Sequence, residues 1–350
     1  MSKVPCLSIV IPVYNGGRQF EQCLKAIQQS SFTDWELIVV DDGSTDGSDF
    51  LAEQFGARVF KTHGRFGPAA ARNMGARLAK GTYLYFIDAD CQLQPETLDL
   101  IAKIFQDDPD LDALFGSYDD SPAAPNFIAQ YKNLFHHYVH QSSREDASTF
   151  WTGCGAIKRS RFLTLGGFDI QRYRRPSIED IDLGYRLKKA DGRIRLAKQV
   201  QVKHLKAWTL VSLLKSDILD RGIPWTRLIL RDKAFMGDLN LQTHNRVSVI
   251  AVYGLLLACI LSFFQIQGIF IGLGLAGLLL WLNLSLYYFF YRKRGLLFTL
   301  RVIPMHWLYY SYNAISFSCG ILFYWQKRLK PQPISSSKPF VEGAETDESG

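Results

Sequence analysis

The sequence predicts an α/β fold, a doubly wound sheet, followed by C-terminal transmembrane helices. Three observations carry this reading. Short β-branched runs alternate with amphipathic helical segments through the first half of the chain. Several of those runs end in acid-bearing turns, and apolar and aromatic residues dominate 247–325.

Leu7–Val13 is the first strand, and Phe20–Ser30 follows as a helix with Phe20, Leu24 and Ile27 on one face. Trp35–Val40 is the second strand, Val59-Phe60 a short third, Ala69–Ala79 a helix and Tyr83–Ile87 a further strand. Pro95 opens a helix carrying Leu98, Ile101 and Ile104, which Pro109 closes, and Leu111–Gly116 resumes the strand pattern. Residues 118–150 are polar with interspersed aromatics, including His136, His137 and His140. At this spacing only two of the three share a helix face, and no carboxylate lies nearby in sequence. An exposed or substrate-facing helix is therefore expected there rather than a metal site.

The 350 residues divide by hydropathy. Val247–Phe264 and Ile269–Tyr291 are each apolar for about the length that crosses a hydrocarbon core. Arg246 precedes the first and Arg292-Lys293-Arg294 follows the second, so basic residues mark the cytoplasmic side at both ends. The next stretch, interrupted by Arg301, Pro304 and His306, admits two readings: a third span at about 303–325, or a re-entrant or interfacial helix. Residues 207–245 form a membrane-interface segment, in which Trp208, Leu213, Leu228 and Ile229 alternate with Lys and Arg as amphipathic helices on the leaflet. The transmembrane region is bounded at 246–326, and the tail 327–350, rich in Pro, Ser and acids, is expected to be disordered.

Met1–Cys6 leads straight into the first strand without a basic region and apolar core, which predicts an integral membrane protein with its large domain in the cytoplasm. Cysteines 6, 23, 91, 154, 259 and 319 lack paired metal spacing and are expected as reduced packing residues. The formal net charge of +7 suits an anionic membrane surface or substrate; the basic residues form no nucleic-acid motif, so no nucleic-acid partner is expected.

The chemistry concentrates at strand ends. Pro12-Val13-Tyr14-Asn15-Gly16 offers an aromatic ring beside which a planar base can lie. In Val40-Asp41-Asp42-Gly43-Ser44-Thr45-Asp46 an acid can accept from a base or ribose, while Ser44 to Asp46 suit helix capping before Phe50–Phe55. Asp88-Ala89-Asp90 sets hard oxygen ligands at the carboxyl edge of a sheet, where open α/β sheets bind ligands.

These segments, LSIVIPVYNGG, ELIVVDDGSTDGS, GPAAARNMGA and GTYLYFIDAD, resemble in order and spacing the donor-binding half of a family 2 glycosyltransferase with the GT-A fold. The resemblance continues through FWTGCGAIKRSRFLTLGGFD and IEDIDLGYRLKKADGRIRLA and defines a domain over 1–206. It implies that Pro12, Tyr14, Asn15, Asp41 and Asp42 bind the nucleotide, that Arg72 faces the base or diphosphate, and that Asp88 meets the ribose or a metal-bound water. Asp90 would hold a divalent cation, magnesium or manganese, with His204 either a further ligand or structural. Glu179-Asp180 resembles the acceptor-site acids, with Asp180 as catalytic base and Asp182 capping the helix. Trp151 and Gly153 fall where the family places the floor of the acceptor pocket, which implies that Trp151 either stacks on a sugar or packs beneath the loop.

The segment Arg221-Gly222-Ile223-Pro224-Trp225 resembles the Gln-X-X-Arg-Trp motif of processive synthases but lacks the Gln and the Arg-Trp adjacency, which argues against a long-chain polymerase. The expectation is a membrane-bound inverting glycosyltransferase of cell-envelope glycan or glycolipid synthesis. It would take a nucleotide-sugar such as a UDP-sugar as donor and a glycan or lipid-linked hydroxyl or phosphate as acceptor, beside membrane lipids. Two alternatives are a catalytically silent scaffold, against which four intact acids speak, and a nucleotidyltransferase, which should carry a glycine-rich basic loop after its first strand.

Overall fold

The computed structural model of the protein describes residues 4–173, 175–232 and 243–329. The first half alternates as predicted: β1 (Leu7–Val13), α1 (Gly17–Gln28), β2 (Trp35–Asp41), α2 (Ser48–Gln54), β3 (Arg58–Lys61), α3 (Pro68–Leu78) and β4 (Tyr83–Ile87). These strands run parallel in the order β3-β2-β1-β4, so the three strand-end motifs emerge side by side at one edge. The central strands are apolar on both faces because helices cover both. Helix α3 seats directly on the sheet at Gly75, where a Cβ would lie 2.5 Å from Val10 Cγ1.

Beyond β4 the sheet becomes mixed. β5 (Cys91–Leu93), α4 (Thr97–Asp107), β6 (Ala113–Tyr118), α5 (Phe127–Ser142), β7 (Cys154–Lys158), α6 (Arg159–Thr164), α7 (Glu179–Lys189) and β8 (Ile194–His204) complete eight strands in the order β3-β2-β1-β4-β7-β6-β8-β5. β7 is antiparallel to both neighbours, and β5 is antiparallel to β8.

This order forces curvature. β4 and β5 are four places apart, which in a flat sheet is about 19 Å at about 4.8 Å per strand. Only Asp88-Ala89-Asp90 connects them, and the chain from Ile87 to Cys91 reaches at most about 14 Å. The sheet therefore curls, α1 packs against β5, and the two acids sit at the mouth between its halves. The Cys23 thiol, buried on α1, donates to the Asp88 carbonyl and ties that helix to the turn.

The C-terminal part comprises α8 (Leu210–Lys215), a π-helical turn at Ser216–Gly222, α9 (Ile223–Asp232), α10 (Thr243–Leu261), α11 (Gln267–Leu282), α12 (Leu284–Arg294) and α13 (Leu296–Leu329). Within the predicted interface segment 207–245, Leu213, Leu228 and Ile229 are buried, while Leu210, Val211 and Leu219 are exposed. The segment packs on α13 through small residues on both sides. A Cβ on Gly222 would lie 2.6 Å from Ser316 Cβ, and one on Gly320 would lie 2.5 Å from Thr226 Cβ.

Helix α10 is long and apolar enough to cross a membrane and covers most of the predicted 247–264 stretch. The predicted 269–291 stretch is two helices, α11 and α12, bent by 67°. Asn283 stands at the break: its buried amide donates to Leu279 O and Ser248 Oγ and accepts from the Tyr310 hydroxyl, drawing the chain out of a straight helix. The predicted 303–325 stretch lies within α13, which runs through Pro304. Residues 233–242, and the predicted tail from 330 onward, lie outside the described residues.

Candidate active site

The turns after β1 and β2 form one hydrogen-bonded unit. Asn15, at φ 50°, donates its N–H to Ser44 Oγ, and its side-chain oxygen accepts from Thr45 N–H. Asp41 accepts from Ser44 N–H. The Asp46 carboxylate accepts from Ser48 and from Gly17 N–H. Ser44 and Thr45 thus serve the β1 turn instead of capping α2, which begins after Gly47 without a side-chain cap. Pro12 is half-buried at the end of β1, and the Arg65 guanidinium lies 3.9 Å from the centroid of the half-exposed Tyr14 ring.

Asp42 is buried and fully engaged. One oxygen accepts from Phe66 N–H at 2.9 Å and the Thr62 hydroxyl at 2.9 Å, and the other from Gly67 N–H at 2.7 Å. Gly67 immediately precedes α3. Asp42 therefore sets where α3 begins, and with it the position of Arg72.

Arg72 bridges the two acid motifs. Its guanidinium donates to Asp88 at 2.6 Å and to Glu179 at 3.0 Å, from a side chain only 5% exposed. It faces these acids and not the Tyr14 turn. Its third nitrogen, Nε, is buried without a partner. Glu179 also accepts from Ser177 N–H; burial, and then the neighbouring Asp180, push its carboxyl up, with Arg72 opposing. Asp88 remains one-third open to solvent.

Asp90 and His204 face each other across the curl of the sheet, with Oδ2 and Nε2 3.4 Å apart. His204 Nδ1 lies 2.7 Å from Asn133 Oδ1, so Nδ1 carries the proton, and the ring stacks on Tyr118 at 4.4 Å. A histidine held through one nitrogen with the other aimed at a carboxylate is the arrangement a metal ligand needs. Cys91 Sγ completes a group whose ligand atoms lie within 4.8 Å of one another. Burial pushes the Cys91 thiol well up, so it stays protonated and offers little to a hard cation. For Asp90, burial works upward, but the facing His204 and then Lys206 oppose it and hold the carboxyl below its ordinary value. The Asp90–His204 pair fits an oxygen-preferring divalent ion of the magnesium or manganese kind.

On the far side of Arg72, Asp180 lines a cavity of about 550 Å³. One oxygen accepts from Thr152 N–H at 3.2 Å and Oγ1 at 3.3 Å, the other from Ile181 N–H at 2.8 Å. Burial pushes its carboxyl up, opposed by Thr152 and then by the charges of Arg221 and Arg72. Asp182 does not cap α7: it is buried and paired with Arg186 and Arg231. Trp151 is 9% exposed and packs edge-on to Tyr118 and against His136. A Cβ on Gly153 would lie 2.3 Å from the Trp151 ring, so this glycine makes room for the indole. The ring is thus packed beneath the loop, with part of it reaching the cavity wall.

The predicted exposure of the α5 histidines is corrected. His137 and His140 are buried, with Nδ1 at 2.7 Å from Tyr118 O and 2.9 Å from Gly116 O. These carbonyls belong to β6, which α5 covers. His136 points to the cavity. Sequence reasoning gave no site role to Asn133, Thr152 or Arg221, because each acquires its role from a residue distant in the chain.

Residues 8–165 match the family model described as glycosyl transferase family 2. Glycosyltransferase GlyG of Streptococcus pneumoniae serotype 4 is 32% identical over 117 residues, 32% of this chain and 38% of that protein. The uncharacterized glycosyltransferase YibD of Escherichia coli K12 is 33% identical over 116 residues, 32% of this chain and 34% of that protein. The chain therefore spans about a third of the length of these relatives. Among solved structures, mannosyltransferase PcManGT from Pyrobaculum calidifontis, in complex with GDP-Man and Mn2+, superposes with a TM-score of 0.55 at 15% identity, over 93% of this chain and 89% of that one. This likeness establishes the shared fold, the mixed α/β arrangement of GT-A glycosyltransferases.

Proposed function

We propose that this chain, which belongs to glycosyl transferase family 2 through its residues 8–165, moves a sugar from a nucleotide-sugar to an acceptor hydroxyl with inversion at the anomeric carbon. The observation that carries this reading is the Asp88–Arg72–Glu179 bridge, because it sets a solvent-open acid on one side and the cavity-lining Asp180 on the other. A donor lies over the strand-end turns of Tyr14, Asn15 and Asp41. Asp180 takes the proton from the acceptor hydroxyl as its oxygen attacks the face opposite the departing diphosphate. A general base works best with its pKa raised toward operating pH, the direction in which burial moves Asp180.

Asp90 and His204 would hold a magnesium or manganese ion, which when bound neutralises charge on a diphosphate. The GDP-Man and Mn2+ complex of the mannosyltransferase supports both donor class and cation. Helix α10 and the bent pair α11–α12 support membrane anchorage; the basic residues that flank them, Arg246 and Arg292-Lys293-Arg294, are the ground for placing the catalytic domain in the cytoplasm, where it would meet a glycan or lipid-linked acceptor.

The test is release of nucleoside diphosphate from a panel of UDP- and GDP-sugars, in manganese and in chelator. Metal-dependent release is expected for at least one donor, and none from any donor overturns the reading. Asp90→Ala should lose the metal-dependent part of donor affinity; unchanged calorimetric affinity in manganese removes Asp90 from the site.

A further inference from the structure

We propose that the acceptor hydroxyl is carried by a phosphorylated lipid whose phosphate pairs with Arg221 and whose chain leaves the Asp180 cavity between α10 and α13. This inference rests on the glycosyl-transfer reading and assigns the substrate class of the same site.

The charge balance of the cavity points to an anion. Lys132, which lines it, is already neutralised by Asp217 at 2.5 Å, and Asp217 also accepts from the Tyr312 hydroxyl at 2.7 Å. His140 donates to a backbone carbonyl and is held neutral by burial. Arg221 lines the same space and has no carboxylate partner in ion-pairing distance among the described residues, yet its charge reaches Asp180. A guanidinium beside a catalytic carboxyl, in a partly desolvated cavity, is suited to a phosphate rather than a neutral sugar.

The walls point to an apolar chain attached to that anion. Val249 and Ile250 of α10 and Ala314 and Phe317 of α13 line the cavity opposite Asp180. Ile250 and Phe317 are also solvent-exposed, at 74% and 41%. The cavity is thus continuous with the apolar exterior of the helix that is long enough to span a membrane. A hydrophilic glycan gains nothing from such an exit, whereas a lipid chain keeps its tail in an apolar medium while its head reaches Asp180. The close Gly222–Ser316 and Gly320–Thr226 contacts hold α13 in place to form this wall.

The experiment measures binding to the full-length protein in neutral-detergent micelles, read by tryptophan fluorescence from Trp151 and Trp225 at the cavity wall. Three probes separate the components: dodecyl phosphate, dodecanol and inorganic phosphate. Dodecyl phosphate should bind at least about tenfold more tightly than either of the others, a difference of about 1.4 kcal/mol. Arg221→Gln should remove that advantage while leaving dodecanol binding in place, which also verifies that the variant is folded, and Arg221→Lys should restore most of it. Equal binding of dodecanol and dodecyl phosphate, equal binding of inorganic phosphate, or an unaffected Arg221→Gln overturns the proposal. None of these measurements needs turnover, so they fail independently of donor hydrolysis.

Discussion

The strand-end turns proposed for the donor and the Asp180 cavity proposed for the acceptor are built in opposite ways. On the donor side, Asn15, Asp41 and Asp46 are fixed by bonds within two adjacent turns on neighbouring parallel strands. On the acceptor side, Asp180 shares its cavity with α5, the Thr149–Trp151 loop, the π-helical turn, α10 and α13. A site made from neighbouring turns tolerates change elsewhere in the chain. One made from many separated segments depends on all of them, and Arg72 is where the two are joined.

The comparison breaks most sharply at Asp180. Asp180→Asn should lower transfer by about 10²–10⁴-fold, the usual worth of a general base, with donor affinity unchanged. Transfer persisting within about tenfold of wild type would put the base elsewhere. Next is the link itself: Arg72→Met leaves Glu179 buried without its cation and should cost about 3–5 kcal/mol in a urea melt. Adding Glu179→Gln should recover part of that loss, and a strictly additive double variant would mean the pair is not coupled.

A smaller effect is expected inside the donor side. Asp42→Ala removes the acceptor for three donors in the 62–67 loop and should cost about 2 kcal/mol, together with a higher donor KM from a displaced α3. Asp42→Asn, which keeps an accepting oxygen, should lose less. An equal loss in both variants would mean that charge, not loop geometry, is what matters.

The smallest effect is a pH shift. With Asp180 as the proposed base, acting unprotonated and with its pKa raised by burial, kcat/KM should fall as pH drops through a value above that of an ordinary aspartate. Removing the Arg221 charge should move that acid limb upward by about one unit or less. A limb that moves downward, or stays fixed, would show that the titrating group is not Asp180.

How much of this was legible depends on the distance over which each feature is decided. β1, β2 and β4 and their turns follow from period-two patterns and turn residues, so their order and shared edge were readable. β7 was not: Cys154–Lys158 is short, carries Gly155 and takes its identity from pairing with β4 and β6. His137 and His140 look solvent-facing in a polar stretch, yet their ring nitrogens satisfy carbonyls at 118 and 116, a match visible only once α5 lies over β6. Asn283 likewise reads as one polar residue in an apolar run, and its contacts with Ser248 and Tyr310 are what turn a span into a bend.

By itself the sequence determined the parallel α/β order, the placing of acids at strand ends and the apolar character of the C-terminal helices, because local periodicity and turn chemistry dictate all three. Tertiary structure decided what those residues face. Arg72 meets acids 16 and 107 residues away, and His204 meets Asn133 across 71. The Asp180 cavity closes only when α13 seats on Gly222. Burial, charge pairing and ring orientation depend on which surfaces the curled sheet and its helices bring together, and no local pattern encodes that.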